Sequence, residues 1–410
     1  MEKIYKVAVI GGGAAGLTAG IMLSEKLRGD VIILERLPRV GKKITVTGNG
    51  RGNITNENLS ADNYHSVEGD AQVFVRPTLK NFGNVRVKEF FTSLGALVVS
   101  EGDRVYPASL QASSLLDLMR LRLEYNECAQ TTDFEAVDIE RGEYFTISSA
   151  DGRKIKAEKI VLAAGGKCQK QLGTDGSGYK LARLFGHTVT ECYPSLVQLK
   201  TDASRIKRLK GIRQEVRLTL LDGTDPIASE RGDLLFTEFG VSGNAVFGVS
   251  GYAATAKKPV LSIEFLPDFA EFELASALGK KIKAAPYLAA EDLLTGFVNK
   301  QIGRAIVEAA GVDLTEKCPK SHVNDIIRAL KEFRLSVTGS LGFNYAQVTR
   351  GGVRLAEVDN VTLRSKKTEN LYLAGEILDI DGDCGGYNLQ WAFSSAYAIS
   401  RDIFRFYGLE

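Results

Sequence analysis

Three glycines in the run Gly11-x-Gly13-x-x-Gly16 carry the first chemical statement in the chain. They follow the apolar run Val7-Ala8-Val9-Ile10, and Glu35 closes a second apolar run, Val31-Ile32-Ile33-Leu34, nineteen residues beyond Gly16. In a βαβ unit Gly11 permits the tight turn, Gly13 the close approach of a pyrophosphate, and Gly16 tight packing of helix on strand. The first turn of such a helix offers unpaired N–H groups and a positive dipole end to the phosphates, while Glu35 offers an acceptor to ribose hydroxyls. The unit predicts dinucleotide binding.

Two distant segments extend the chemistry. Residues 41–53, Gly41-Lys42-Lys43-Ile44-Thr45-Val46-Thr47-Gly48-Asn49-Gly50-Arg51-Gly52-Asn53, hold too much glycine and asparagine for a helix or a central strand. They predict an ordered loop whose backbone N–H groups and basic side chains suit an anion or the edge of a flavin. Near the C-terminus, Asp379-Ile380-Asp381-Gly382-Asp383-Cys384-Gly385-Gly386-Tyr387-Asn388 leads into the helical run Leu389-Gln390-Trp391-Ala392-Phe393. A helix N-terminus behind glycines there would stabilise the negative charge of a reduced flavin.

Other candidates are single residues. Arg350, beside Gly351-Gly352, offers a fork that could hold a carbonyl or phosphate, and Cys384 among its glycines could serve as a redox or proton-donating thiol. His187 fits the end of a helix capped by Asp175 better than it fits catalysis. Lys207, Arg208, Lys210 and Arg213, within the stretch 200–213, read as a solvated face or as a patch for the phosphates of RNA. With three histidines and no CxxC pair, neither a metal-ligand set nor a Ser-His-Asp arrangement is legible, so no metal is expected.

Three apolar runs that end in small residues, at 7–13, 160–166 and 371–376, predict buried parallel strands whose carboxyl ends converge on a common ligand. Between about 191 and 265 the pattern alternates, as in Val216-Arg217-Leu218-Thr219-Leu220 and Leu261-Ser262-Ile263-Glu264-Phe265, which predicts half-buried antiparallel strands. From 268 to 335 the apolar spacing turns helical, with Leu293, Leu294, Phe297, Val298 and Ile302, then Ile326, Ile327, Leu330 and Phe333. The expected division is a discontinuous cofactor domain at 1–190 and 340–410, an inserted β domain at 191–267 with 334–345, and a helical subdomain at 268–333. The 410 residues carry 44% hydrophobic content, enough to bury a large core, and a net charge of only +2, which excludes a polyelectrolyte binder of nucleic acid as a whole. Five scattered cysteines (Cys128, Cys168, Cys192, Cys318, Cys384), no signal-like N-terminus and no spanning apolar run point to a cytoplasmic protein with no membrane partner. The oligomeric state has no legible signature.

The motifs GGGAAGL at 11–17, GKKITVTGNGRGNITN at 41–56, LAAGG at 162–166, TDGSGYKLA at 174–182, LLFTEFGVSG at 234–243, VTRGGV at 348–353 and LAGEILDIDGDCGGYNLQWAFSSAYA at 373–398 resemble, nearly end to end, the BaiN/RdsA-type family of FAD-dependent oxidoreductases, also labelled aminoacetone-oxidase-like flavoproteins. The resemblance implies an α/β fold: an FAD-binding, Rossmann-like three-layer β/β/α domain of the fumarate-reductase and aspartate-oxidase type, with inserted β-barrel-like and helical subdomains. It implies FAD contacts at Gly11, Gly13, Ala14, Gly16, Glu35, Arg36, Lys42, Lys43, Gly48, Asn49, Gly50, Arg51, Asn53, Ala164, Gly165, Gly375, Glu376, Asp381, Gly386, Asn388 and Leu389. The chain also departs from its relatives. Gly52 stands where many carry Cys, and Glu238 and Asn244 where many carry His and Pro, so roles resting on those residues do not transfer.

The expected activity is reduction of an electron-poor C=C or C=N bond in a small organic molecule, with NAD(P)H as a transient donor because no second GxGxxG unit is present. Rival expectations are reduction of uridine to dihydrouridine in ribosomal RNA, amine oxidation yielding peroxide, and a non-catalytic FAD-fold protein that acts through partners.

Overall fold

The computed structural model describes residues 3–202, 204, 206–315, 317 and 320–409. It divides into two compact units, Met1–Tyr193 with Gln347–Glu410, and Pro194–Ala346. Cys318 and part of the basic stretch, Arg205, lie outside the described residues.

The first unit opens with strand β1 (Ile4–Ile10), helix α1 (Ala14–Lys26) and strand β2 (Val31–Leu34). Every residue of β2 is buried, as are the last four of β1, because both faces of a central parallel sheet are covered. After the 41–53 loop come a two-residue strand β3 (Tyr64–His65), then β4 (Ala129–Thr131), β5 (Ala136–Arg141), β6 (Phe145–Ser149), β7 (Lys154–Leu162) and helix α2 (Ser177–Leu184). The sheet order is β4-β2-β1-β7-β6-β5, with β4, β2, β1 and β7 parallel and β5 and β6 forming an antiparallel meander on β7.

The second unit comprises β8 (Leu199–Thr201), β9 (Arg213–Asp222), β10 (Asp225–Phe236), β11 (Gly240–Ser242), α3 (Asn244–Ala253), β12 (Pro259–Phe265), α4 (Glu271–Ala284), α5 (Lys300–Ala309), α6 (Val323–Lys331) and β13 (Phe333–Ser340). Its strands close a barrel in the order β8-β11-β10-β9-β12-β13. Val216, Leu218 and Leu220 point inward while Arg217 stays exposed, which is the alternation the sequence predicts. Helices α5 and α6 bury Ile302, Ile306, Ile326 and Leu330 in the same core.

Two details of the helical reading are corrected. Leu293, Leu294, Phe297, Val298 and Ile302 do not share one helix: Gly296 adopts φ +89°, and Asn299 caps α5 by accepting the Gln301 N–H at 2.9 Å, so the segment before Lys300 turns instead. Phe333 opens β13, where it pairs with Ile263, because the barrel claims an apolar residue that the helical spacing also fits.

The chain then returns to the first unit through β14 (Val348–Arg350), β15 (Leu371–Leu373), β16 (Asp381–Gly382) and the 20-residue helix α7 (Tyr387–Phe406). Strand β15 runs parallel to the second half of β7, and β16 pairs antiparallel with β3, placing Asp381 opposite His65. The register sets Ile10 beside both Leu34 and Leu162, and Leu162 beside Leu373. Gly11, Glu35, Ala163 and Ala374 therefore emerge together at the carboxyl edge of the sheet. Among the described residues no helix is long and apolar enough to cross a membrane.

Candidate cofactor site and active centre

Gly11 and Gly16 take the turn and packing roles the sequence predicts. Gly11 has φ +108°, and a Cβ there would lie 2.4 Å from the Ala163 carbonyl oxygen, so the turn seats directly on the end of β7. A Cβ at Gly16 would meet the Gly11 carbonyl oxygen at 1.8 Å, which fixes how tightly α1 lies on β1. Around Gly13, the N-cap of α1, a Cβ would meet no protein atom within 4 Å. Protein packing does not require glycine at that position, whereas a phosphate approaching the helix end would.

Glu35 is 9% exposed and accepts the Gly12 N–H through Oε2 and the Leu37 N–H through Oε1, both at 2.8 Å. Burial pushes its carboxyl above the usual range despite those donors. Each carboxylate oxygen keeps a second lone pair for a hydroxyl. Arg36 pairs with Asp175 at 2.7 Å and Glu135 at 3.3 Å. Ala14 begins α1, and the Ala164-Gly165 strand end turns away from β7 with Gly165 at φ +70°.

The 41–53 loop is ordered, although it winds into short 3-10 turns over Ile44–Gly50 and breaks at Thr47, Gly48 and Asn49. Gly48, Asn49 and Gly50 all have positive φ. Lys43 donates to Glu376 Oε2 at 2.8 Å, Lys42 to the Gln171 carbonyl at 3.0 Å, and Arg51 pairs with Glu101 at 2.5 Å while lying over the Tyr106 ring. A Cβ at Gly52 would press on Ala112 Cα at 3.0 Å, so the space that a relative's cysteine would need is filled by the helix Ala112–Tyr125.

The C-terminal segment meets this loop. Gly386, at φ +104°, caps α7, and a Cβ there would lie 2.5 Å from the Thr55 carbonyl oxygen and 2.9 Å from Asn53 Oδ1. Asn53 is 7% exposed, and among the described residues its buried Oδ1 has no hydrogen-bond partner. A buried orphan acceptor at the N-terminus of a long helix is costly unless a ligand donor meets it. Asn388 folds back on the turn, accepting the Gly382 N–H at 2.8 Å and donating to the Gly382 carbonyl at 2.7 Å, and Leu389 packs against the core. Gly375 sits where a Cβ would touch the Ala15 Cβ at 3.0 Å, and its N–H donates to Ser395 Oγ. Glu376 Oε1 accepts the Thr349 N–H at 2.9 Å.

Beside the glycines lies a zipper of acids. Asp379, fully buried, accepts the Val67 and Glu68 N–H groups at 2.9 Å each, and burial pushes its carboxyl up to about 6, helped by repulsion from Asp381 and Glu68. Asp381 takes Arg350 Nε through both oxygens, at 3.0 and 3.2 Å. Asp383 accepts from Asn63 Nδ2 at 3.0 Å and bonds His65 Nε2 at 2.7 Å. Arg350 is thus a buried partner of Asp381, and Cys384 is a half-buried thiol outside any disulfide, in the turn next to Asp383. Sequence reasoning missed His65, because a two-residue strand has no periodicity and its carboxylate lies 318 positions away.

The remaining candidates separate from this centre. His187 is buried with Nδ1 3.1 Å from Glu357 and Nε2 2.8 Å from Ser365, a packed residue at the end of α2. Burial pushes the Cys128 and Cys168 thiols up to about 12, and no cluster of three metal-type ligands occurs among the described residues. In the basic stretch, Arg208 pairs with Glu308 at 2.9 Å, Lys210 with Glu238 at 2.6 Å and Arg213 with Asp233 at 3.5 Å.

A mostly parallel sheet carrying the glycine turn, the buried Glu35 and a second helix N-terminus, together with the family match, defines a Rossmann-type flavoprotein oxidoreductase with an inserted barrel and helices. More narrowly, the chain belongs to the family described as HI0933-like protein Rossmann domain, whose model matches residues 5–402. It is 37% identical over 407 residues to the 3-dehydro-bile acid delta(4,6)-reductase of Clostridium scindens, covering 97% of this chain and 98% of that protein. It is 28% identical over 410 residues to the ribosomal RNA dihydrouridine synthase of Escherichia coli, covering 98% of each. The quinol fumarate reductase of Escherichia coli shares its fold with a TM-score of 0.50 at 12% identity, over 99% of this chain and 71% of that one.

Proposed function

We propose that this protein reduces a conjugated C=C bond in a small cyclic ketone. The observation that carries the reading is the end-to-end 37% identity to a relative whose name joins a reductase to a 3-dehydro, delta(4,6)-unsaturated substrate. FAD, when bound, accepts a hydride from a donor and passes it to the substrate. Gly13 and the N-terminus of α1 would hold its pyrophosphate, Glu35 its ribose, and Asn53 with the N-terminus of α7 the polar edge of its ring system. The basic 41–53 loop, tied to Glu376 through Lys43, would close over the cofactor. Arg350, already neutralised by Asp381, would act as a fixed hydrogen-bond donor on the substrate carbonyl. With no second dinucleotide turn in the sequence, a nicotinamide would bind transiently.

The test is anaerobic. The FAD-loaded protein is mixed with NADH or NADPH until the visible flavin band bleaches, then with a cyclic enone. Return of the band with formation of the saturated ketone is expected; no return with any conjugated ketone overturns the reading.

A second reading, uridine reduction in ribosomal RNA, draws on the 28% identity to the dihydrouridine synthase. Against it, Arg208, Lys210 and Arg213 are each engaged by a carboxylate, which removes much of the positive potential an RNA backbone would seek. Nucleoside mass spectrometry of ribosomal RNA from a deletion strain decides: loss of one dihydrouridine would favour this second reading.

A further inference from the structure

Saturating a C=C bond consumes one hydride and one proton, and the proton needs a positioned acid. We propose that His65, oriented by Asp383, supplies it; the proposal rests on the reductase reading above. The ring is held at one edge by the 2.7 Å contact between Nε2 and Asp383 Oδ1, and the carboxylate is itself fixed by Asn63 Nδ2 on its other oxygen. The backbones are locked as well, since the Asp383 N–H donates to the Asn63 carbonyl at 3.0 Å and His65 lies opposite Asp381 in the β3–β16 pair. A carboxylate at that distance fixes the ring's orientation. The side chain remains 20% exposed, and Asp383 stands three residues before Gly386, the cap of α7, so the dyad lies beside the segment that opens that helix.

The alternatives are weaker by burial or engagement. The His187 side chain is sealed from solvent, and His322 lies on the turn before α6 in the barrel unit. The buried Tyr64 and Tyr179 phenols are pushed well above their ordinary range, and Cys168 rises to about 12. Arg350 is committed to Asp381.

The charges facing His65 have a definite balance. Asp381 and Arg350 neutralise each other opposite it, Asp379 holds the Val67 and Glu68 N–H groups, and Glu68 pairs with Arg354 at 2.7 Å. Tyr64 and Tyr387 contribute neutral phenols.

In the step, hydride adds to the β-carbon of the enone, the C=C electron pair moves toward the α-carbon and carbonyl, and the α-carbon takes the proton from the His65 imidazolium. Neutral imidazole remains and is reprotonated from water. The two electrons come from FAD previously reduced by a nicotinamide or, in the test, by dithionite.

Dithionite-reduced, FAD-loaded protein is mixed anaerobically with a cyclic enone, and reoxidation is followed from mildly acid to alkaline pH. Wild-type rates should fall along an alkaline limb. His65→Gln should be slower by roughly a hundredfold or more at neutral pH and lack that limb, the scale expected for a lost general acid. His65→Ala should recover part of the rate with added imidazole, and Asp383→Asn, which leaves the imidazole in place, should slow the reaction less than His65→Gln does. The hydrogen-bonded imidazole N–H resonance of His65 in the proton NMR spectrum, which needs no turnover, should move upfield in Asp383→Asn. Equal FAD content and melting temperature establish that the variants are folded. A His65→Gln protein with the wild-type rate and profile, or abolition of the limb by Cys384→Ser instead, overturns the assignment alone. A wild-type protein that no enone reoxidises overturns the reductase reading and this assignment together.

Discussion

Lys43 Nζ lies 2.8 Å from Glu376 Oε2, a contact that joins the 41–53 loop to the end of β15 across 333 positions of sequence. Both side chains are 20% exposed, between the weak surface pairs and the strongly coupled buried ones. Lys43→Met should weaken FAD binding by on the order of 1–2 kcal/mol, roughly tenfold in Kd, because the loop loses its anchor. Equilibrium titration of apoprotein with FAD measures this. A cycle with Glu376→Gln should show the two substitutions to be non-additive, and independent effects would refute the coupling.

The glycines of the first turn should separate by phenotype. Gly16→Ala drives a methyl into the Gly11 carbonyl and should abolish folding or cost more than about 3 kcal/mol even without cofactor. Gly13→Ala meets open space, so the apoprotein should melt within a few degrees of wild type while its FAD affinity falls tenfold or more. Wild-type FAD affinity in Gly13→Ala would mean that the phosphates lie elsewhere.

Asp379 makes a pH prediction. Its folded-state carboxyl is pushed up to about 6 by burial, above the ordinary aspartate range, so the folded protein binds the extra proton. Its contribution to stability is complete below about pH 4 and is lost as pH rises through 6, an effect on the order of 2–3 kcal/mol. Urea denaturation of wild type against Asp379→Asn should show this slope only in wild type. Parallel curves would refute it.

Lys159 should behave with the opposite sign. It is 1% exposed, donates to Asn370 Oδ1 at 2.5 Å and lies 3.3 Å from the centre of the Phe406 ring. Burial pushes the ammonium down to about 8. Between about pH 8 and the ordinary lysine range near 10.4 the unfolded chain holds a proton that the folded chain has released, so this residue makes stability rise with pH there. Melting temperatures of wild type and Lys159→Met across that window should converge at the alkaline end if Lys159 is the cause.

Legibility tracked the range of the signal. The β1–α1–β2 unit was readable because its hydrophobic runs, glycines and terminal acid are contiguous, and β9 and β12 because alternation is a local pattern. The stretch 293–302 misled because apolar spacing does not register that Gly296 turns the chain, and Phe333 because a strand and a helix compete for one apolar residue. In the candidate centre the types of Arg350 and Asp381 were visible but their mutual neutralisation was not, since pairing depends on how β14 and β16 are brought together. The carboxylates that engage Arg208, Lys210 and Arg213 were hidden for the same reason.

The shared register of Ile10, Leu34, Leu162 and Leu373 also makes the hydrophobic sheet an alignment gauge for chemistry. A slip of one residue in any of these strands would withdraw its terminal glycine or acid by about 3.3 Å and turn the next side chain to the opposite face. Core substitutions at Val9 or Val161, buried in those strands, should therefore loosen the cofactor as well as lower stability.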